Sequence, residues 1–360
     1  MPQIFPFTRG APGAIDYIQG QRLNPAEINA IDKNAAQAAD GLIWSDATIL
    51  KNWLESFVSN GSIIFWDAYT GTWVFAGTAG GAPIAYASSD GKPTWNGLSP
   101  TAGTNWNTTF SGASNGVGSV LLGGGGGTAT ASKIRQSGDG GATWAARNTV
   151  ASGTQAVAAL CWHAASSKFV AGLDGTATTN IETSADGITW AQATAPNSNP
   201  RFCAVSNGTM TVITSNVSTN KLITSTDLVT WTERTLPSTG VWSGVTYNSK
   251  AGLWCAAGAS SVATSSDGIT WGNAGLLWPF PTGPVSICTL GRFFVVGAPY
   301  VAGGVNTQSI VISSDLVTWK SMKQTTATGG SVIGQRIASN GNQVVAVTST
   351  LACASLISGF

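Results

Sequence analysis

From residue 62 onward, apolar and polar positions alternate in short runs broken by small polar turns, the pattern of half-buried β-strands. Residues 62–67 and 72–77 flank the turn Ala68-Tyr69-Thr70-Gly71. The same hairpin returns at 158–162 with 168–172, at 241–247 with 253–258, and at 285–290 with 292–297. Ahead of this stretch the pattern differs. Residues 1–24 are punctuated by Pro and Gly and predict an extended arm. A helix is expected at about 25–40: Asn24 caps it, Pro25 suits its first position, and Glu27 stands where a capping-box acid belongs. Leu23 and Ile28 occupy staple positions, Ile28, Ile31, Ala35 and Ala38 form one apolar stripe, and Gly41 ends the element.

Each hairpin leads through a third strand into one short phrase. It reads Ser88-Ser89-Asp90-Gly91-Lys92-Pro93-Thr94-Trp95, then Ser137-Gly138-Asp139-Gly140-Gly141-Ala142-Thr143-Trp144, then Ser184-Ala185-Asp186-Gly187-Ile188-Thr189-Trp190. It returns as Ser225-Thr226-Asp227-Leu228-Val229-Thr230-Trp231, Ser265-Ser266-Asp267-Gly268-Ile269-Thr270-Trp271 and Ser314-Asp315-Leu316-Val317-Thr318-Trp319. The aspartates stand 40 to 49 residues apart, about the length of one four-stranded propeller blade. Blades are expected near 62–100, 107–150, 155–195, 200–237, 240–277 and 284–323. The tail from 334 to 360 supplies three more strands and stops where the next aspartate would come. Open edge strands offer unpaired backbone groups, so the array must close. The expectation is an all-β propeller of seven four-stranded antiparallel blades, the last closed by residues near 44–58. Six blades with a separate C-terminal hairpin is the alternative. The domains are then 1–60, holding arm, helix and closing strand, and 61–360, the propeller.

Composition narrows the functional classes. Hydrophobic residues make up 43% and charged residues 9%, against about 25% charged in ordinary soluble proteins. The net charge is +1 with no like-charge run, which argues against nucleic-acid or anionic-membrane binding driven by bulk charge. Solubility rests on Ser, Thr, Asn and Gly, a habit of proteins that live within larger assemblies. Cys161, Cys203, Cys255, Cys288 and Cys353 are widely spaced without a C-x-x-C pair, and read as small buried hydrophobes rather than a disulfide framework or metal site. Residues 1–9 carry no basic segment before an apolar one, and no stretch reaches 18 apolar residues, so neither a signal peptide nor membrane insertion is expected.

Within the repeated phrase, the carboxylate can accept turn N–H groups, the hydroxyls add further bonds, and the Trp ring anchors the turn on the sheet. Asp90, Asp139, Asp186, Asp227, Asp267 and Asp315, with Trp95, Trp144, Trp190, Trp231, Trp271 and Trp319, are therefore expected to be structural. The phrase resembles the Asp box, or BNR repeat, of pattern S-x-D-x-G-x-T-W. Residues 137–144 match it in full; Asp227 and Asp315 are followed by Leu, and the first copy has its Gly shifted. The resemblance implies a sialidase-like propeller, with boxes that lie away from any active site. A sialidase would need three arginines clamping a carboxylate, a tyrosine nucleophile with a glutamate partner, and an aspartate acid/base. The eight arginines, Arg9, Arg22, Arg135, Arg147, Arg201, Arg234, Arg292 and Arg336, show no Arg-Ile-Pro motif, and there are four glutamates, Glu27, Glu55, Glu182 and Glu233. Asp174 with Glu182 is the best available carboxyl pair for glycoside hydrolysis. His163 is the only histidine and reads as a turn residue, in the position that holds Asp67 or Asn248 in other blades. The run from Gly123 to Gly127 reads as a bulged strand crossing the central channel rather than a phosphate cradle.

Loop aromatics are the better lead: Trp106 between blades, Trp278 and Phe280 in Leu277-Trp278-Pro279-Phe280-Pro281, and Tyr300 in a Gly-rich insertion. Such rings stack on sugars or anchor protein interfaces. The arm, the helix and the low-charge β body together are similar to bacteriophage tail-associated proteins. That resemblance implies a non-enzymatic virion surface protein, folded in the bacterial cytoplasm and oligomeric in the particle. Its arm and helix would attach to other tail proteins, and its propeller would bind host glycan or protein. The alternatives are a purely structural tail, nozzle or decoration subunit and, third, a carbohydrate-active hydrolase. Neither cofactor nor metal is expected.

Overall fold

The computed structural model describes residues 60–79, 82–89, 96–98, 106–126, 132–150, 154–215, 217–258, 261–275, 285–302, 305–326, 336–347 and 353–358, with short strands at 17–18, 21–22 and 42–47. All regular structure among the described residues is β; the helix expected at 25–40 lies outside them. The chain divides into two compact units, Met1–Ser45 with Leu356–Phe360, and Asp46–Ser355. In the smaller, Tyr17–Ile18 pairs antiparallel with Gln21–Arg22.

The larger unit is a β-propeller. Sheet 1 comprises Asn60–Asp67, Thr72–Ala79, Ala82–Ser88 and Asn96–Leu98. Sheet 2 comprises Trp106–Ser114, Val120–Gly126, Ile134–Ser137 and Ala145–Arg147. Sheet 3 is Val157–His163, Lys168–Leu173, Ile181–Ser184 and Ala191–Ala193. Sheet 4 is Ala204–Ser206, Thr211–Ile213, Thr219–Ser225 and Thr232–Gly240. Sheet 5 is Gly244–Asn248, Leu253–Ala257, Val262–Ser265 and Gly272–Gly275. Sheet 6 is Ser286–Leu290, Phe293–Ala302, Val305–Ser313 and Lys320–Thr326. In each of these, spatial order follows chain order. Six blades of consecutive strands are thus formed, where the repeat spacing and the tail led to an expectation of seven. One further four-stranded sheet has a different make-up. Its order is Arg336–Ser339, Gln343–Val347, Cys353–Ser358 and Leu42–Ala47, so its strands are not consecutive in the chain.

Burial explains why short strands of this composition suffice. The first strand of each blade is innermost and is covered on both faces by neighbouring sheets, as in Val157–His163, where only Trp162 keeps partial exposure. The outermost strands, such as Ala191-Gln192-Ala193, are largely exposed. Apolar residues are therefore concentrated toward the axis and polar ones toward the rim. Among the described residues five inter-sheet cores follow, and each contains the Trp of the following sheet's aspartate turn. Trp144 packs with Ile63 and Ala76, Trp190 with Leu121 and Ile134, Trp231 with Val170 and Ile181, Trp271 with Val212 and Leu222, and Trp319 with Cys255 and Val262. A buried ring of this size removes a large apolar area from water. The repeated phrase thus seals each seam as well as turning the chain.

Candidate functional site: the turn-bearing face

Antiparallel order brings two turns of every blade to the same end, the one between the first and second strands and the one between the third and fourth. Hydrogen bonds tie these turns together: Gly140 N–H donates to the Gly118 carbonyl at 2.9 Å within sheet 2, and Ala165 N–H to the Gly208 carbonyl at 2.8 Å between sheets 3 and 4. The inner turns are built on side-chain acceptors that mimic a backbone turn. Asp67 receives the Tyr69 and Thr70 N–H groups, Asn207 those of Thr209 and Met210, and Asn248 those of Lys250 and Ala251.

The outer turns hold the repeated aspartates. In the five described copies a Ser hydroxyl donates to Asp Oδ1 at 2.7–3.0 Å, and the Thr N–H donates to the same oxygen at 2.7–2.8 Å. In the last copy the donor is Ser313, one residue ahead of the quoted phrase. These bonds favour the anion. The Thr143 hydroxyl and N–H hold Asp139 at about 2. Asp227, Asp267 and Asp315 are held at about 2, first by the N–H groups of Thr230, Thr270 and Thr318. Asp186 is lowered chiefly by the Thr189 N–H. Each carboxylate is thereby committed to its own turn. Asp90 and Trp95 lie outside the described residues.

What the turns present outward was missed in the sequence. Ile188, Val229, Ile269 and Val317 are 44%, 73%, 44% and 70% exposed, each just before the Thr of its phrase. Tyr69 and Val117, on inner turns, are exposed as well. Of the seven exposed large apolar side chains among the described residues, these six share one face; Val150, in a connection between blades, is the exception. The signal was available, because a β-branched residue at the tip of a polar turn has no folding reason to recur.

The axis holds a cavity of 210 Å³ lined by inner strands, with Ile63, Ser111, Ala159, Ala204, Val245 and Ile287 among its residues. None of its described lining residues is charged. Its hydroxyls are engaged: Ser111 donates to the Val157 carbonyl at 2.8 Å, and Ser286 accepts the Ile337 N–H at 3.2 Å.

The expected carboxyl pair sits elsewhere. Asp174 accepts the Ala156 N–H at 2.6 Å and Glu182 the Val150 N–H at 2.9 Å, in the seam between sheets 2 and 3. Lys133 shares that seam; burial lowers its pKa, while Glu182 and Asp174 pull it back up. Burial raises Asp174. Both acids brace connecting segments, Glu182 fully buried and Asp174 at the exposed edge of the seam. Arg201 is buried, donating to Asn180 Oδ1 at 2.9 Å and the Asn197 carbonyl at 2.7 Å, and burial lowers it to about 10.

The glycine run belongs to the second strand of sheet 2, not to a strand crossing the channel. It pairs with a first strand that is irregular between Trp106 and Thr108 and between Thr109 and Ser111. A Cβ at Gly123 would stand 2.4 Å from Ser111 Oγ and 2.6 Å from Val157 Cγ1, so glycine is needed for close approach to sheet 3. Cys161, Cys203, Cys255 and Cys288 are free thiols, and burial pushes Cys161 up to about 12.

Two of the aromatic candidates are in strands, where loops were expected. Trp106 opens the first strand of sheet 2, opposite Gly126. Tyr300 pairs with Thr307 inside a long hairpin that continues to Ala302 and Val305, which leaves only Gly303 and Gly304 between the strands. The β-branched and aromatic residues Tyr300, Val301 and Val305 prevail over the flanking glycines. Both positions fall toward the strand ends away from the turn-bearing face. Trp278 and Phe280 lie outside the described residues.

Neither a known protein family nor a curated protein matches the chain in sequence. Solved structures do resemble it. One is the extracellular domain of a one-component system from B. thetaiotaomicron, at 9% identity and a TM-score of 0.56, covering 82% of this chain and 38% of that one. Another is a chain of a mitotic checkpoint complex, at 12% identity and a TM-score of 0.56, covering 88% and 93%. The chain thus spans little more than a third of the first structure's length. At such identities the likeness establishes the fold class, a β-propeller, and nothing about activity.

Proposed function

We propose that this propeller is a non-catalytic binding module that contacts its partner through the turn-bearing face. One observation carries the reading: six exposed apolar side chains, Tyr69, Val117, Ile188, Val229, Ile269 and Val317, share one end of the molecule. Scattered exposed apolar residues need no explanation, but ones gathered on one face mark an interaction surface. In setting, we read the chain as a virion surface component of a phage tail, with host glycan or protein as partner. The low-charge β body and the character of the first 60 residues support that reading.

The test is binding of labelled protein to intact candidate host bacteria, competed by phage particles. Replacing Val229 and Val317 by Asp should abolish saturable binding while leaving the thermal midpoint within about 2 °C, because both side chains are mostly solvent-exposed. Binding that survives this change but is lost on replacing Trp106, Trp278, Phe280 and Tyr300 would move the contact to the other end. Absence of cell binding, with tight assembly onto other virion proteins, would instead favour a structural subunit.

A further inference from the structure

His163, the only histidine in the chain, ends the inner strand of sheet 3 at the turn-bearing face. Asp67 and Asn248 end the inner strands of sheets 1 and 5 and gather N–H groups of their own turns. His163 reaches across a seam instead. Its Nδ1 stands 3.0 Å from Thr211 Oγ1 and 3.2 Å from Ser206 Oγ, both on sheet 4. The ring is fully buried, and its Nε2 completes no hydrogen bond. The backbone of Thr226, in the aspartate turn of sheet 4, lies beside the ring.

We propose that His163 is an acid-sensitive latch between sheets 3 and 4, closed when the imidazole is neutral and loosened when it is protonated. Neutral, Nδ1 and the two hydroxyls satisfy one another in either tautomer. Protonated, both nitrogens must donate and a buried cation is created, which burial opposes more strongly than the Thr226 backbone favours it. The surroundings supply no counter-charge. Lys168, the register partner of His163, is a cation. Asp227, at the tip of the adjacent turn, is held by Ser225, Val229 and Thr230. Cys161, two residues back, keeps its proton because burial raises its thiol to about 12. Thr211 and Ser206 are uncharged. Burial accordingly lowers the His163 pKa. A histidine depressed in the folded state contributes stability above its unfolded value of about 6.5, and that stability is lost as pH falls through the folded value. The seam that opens carries the Ser225–Trp231 turn and, with it, exposed Val229. The inference concerns the fold itself and does not depend on what the face binds.

Because the chain has one histidine, its imidazole Hε1 resonance can be followed by NMR in the intact protein without assignment. A midpoint below about 6.5 is expected; a midpoint at or above that value overturns the proposal. Hydrogen exchange supplies the local readout. Between pH 7 and 5, after correction for intrinsic rates, the segment 225–231 should lose protection several-fold while the equivalent segment 265–271 does not. In His163→Asn, which places the residue found at Asn248, that difference should vanish. Equal loss in both segments, or persistence of the effect in the variant, would overturn the latch. Should His163→Asn not fold, the titration of the wild-type ring still decides the question.

Discussion

Two versions of one turn stand in alternate blades and solve the same packing problem differently. In sheets 3 and 5 the residue after the aspartate is Gly187 or Gly268, with φ of +74° and +71°. A Cβ there would stand 2.8 Å from Leu121 Cδ2 or 2.5 Å from Met210 Sδ, so a side chain of the preceding sheet already fills that space. The Trp of the turn then donates to the glycine carbonyl, at 3.3 Å from Trp190 and 3.2 Å from Trp271. In sheets 4 and 6 the residue is Leu228 or Leu316, with φ of +62° and +63°. An L-residue in that region costs roughly 1–2 kcal/mol. Both leucines are buried in inter-sheet cores beside Trp231 and Trp319, and burying such a side chain contributes about 1.5–3 kcal/mol. Those two Trp Nε1 groups have no hydrogen-bond partner. Strain plus a lost bond is thus set against added core, in terms of similar size. The turn tolerates either residue because its bonds reach that position only through the backbone N–H, which donates to the Ser hydroxyl at 2.8 Å from Gly187, Leu228 and Leu316 alike.

The comparison breaks most sharply at the leucine. Leu228→Ala keeps the strained φ and empties part of the core between sheets 3 and 4, so a loss of about 2–5 kcal/mol is expected in chemical denaturation. Leu228→Gly removes more side chain yet relieves the strain, and should be less destabilising than the alanine variant by about 1 kcal/mol. If alanine proved the milder change, the claim that leucine is held against its backbone preference would fail.

That reversal could not be foreseen from the sequence, although the turn itself could. The Ser-x-Asp and Thr-Trp positions carried the turn geometry because their bonds are local, reaching only a few residues along the chain. Leu228 and Leu316 registered only as deviations from the pattern, since the side chains that make room for them come from the preceding blade. The hairpins were legible for the same reason as the turns: alternation and small turn residues act over a few positions. The composite sheet was legible in part. A closing strand was expected near 44–58; the strand that stands beside Cys353–Ser358 is Leu42–Ala47. Leu42, Ile43 and Trp44 favour a strand, a preference that spacing between repeats does not register. The exposed aliphatic face was not legible at all. Ile188, Val229, Ile269 and Val317 are aliphatic and occupy positions that the repeated phrase leaves free, so nothing in the motif marks them.

The converse substitution sharpens the comparison at lower cost to the protein. Gly187→Ala introduces a Cβ at positive φ against Leu121 Cδ2, the movable end of a side chain. The expected loss is about 1–3 kcal/mol, from strain together with modest overpacking. Combining it with Leu121→Ala should recover the steric part alone, leaving a non-additive remainder in a double-mutant cycle. Full additivity would mean that the two side chains do not compete for the same space.

The smallest effect should be common to both turn types, because it arises from the part of the turn they share. Asp139, Asp227, Asp267 and Asp315 are held at about 2 by turn donors, below the ordinary carboxylate value of 3.8. A carboxyl depressed in the folded state contributes stability above its unfolded value, and loses that contribution as pH falls through the folded one. The thermal midpoint should therefore decline between pH 4 and pH 2, gently for each site because these groups are solvent-screened. Asp227→Asn, in a leucine turn, and Asp267→Asn, in a glycine turn, should each flatten that limb by the same amount. They should leave untouched any decline between pH 7 and 5, which belongs to His163. Unequal flattening would show that the residue after the aspartate alters the carboxylate's bonds after all, and the two turns would then differ in their electrostatics as well as in their packing.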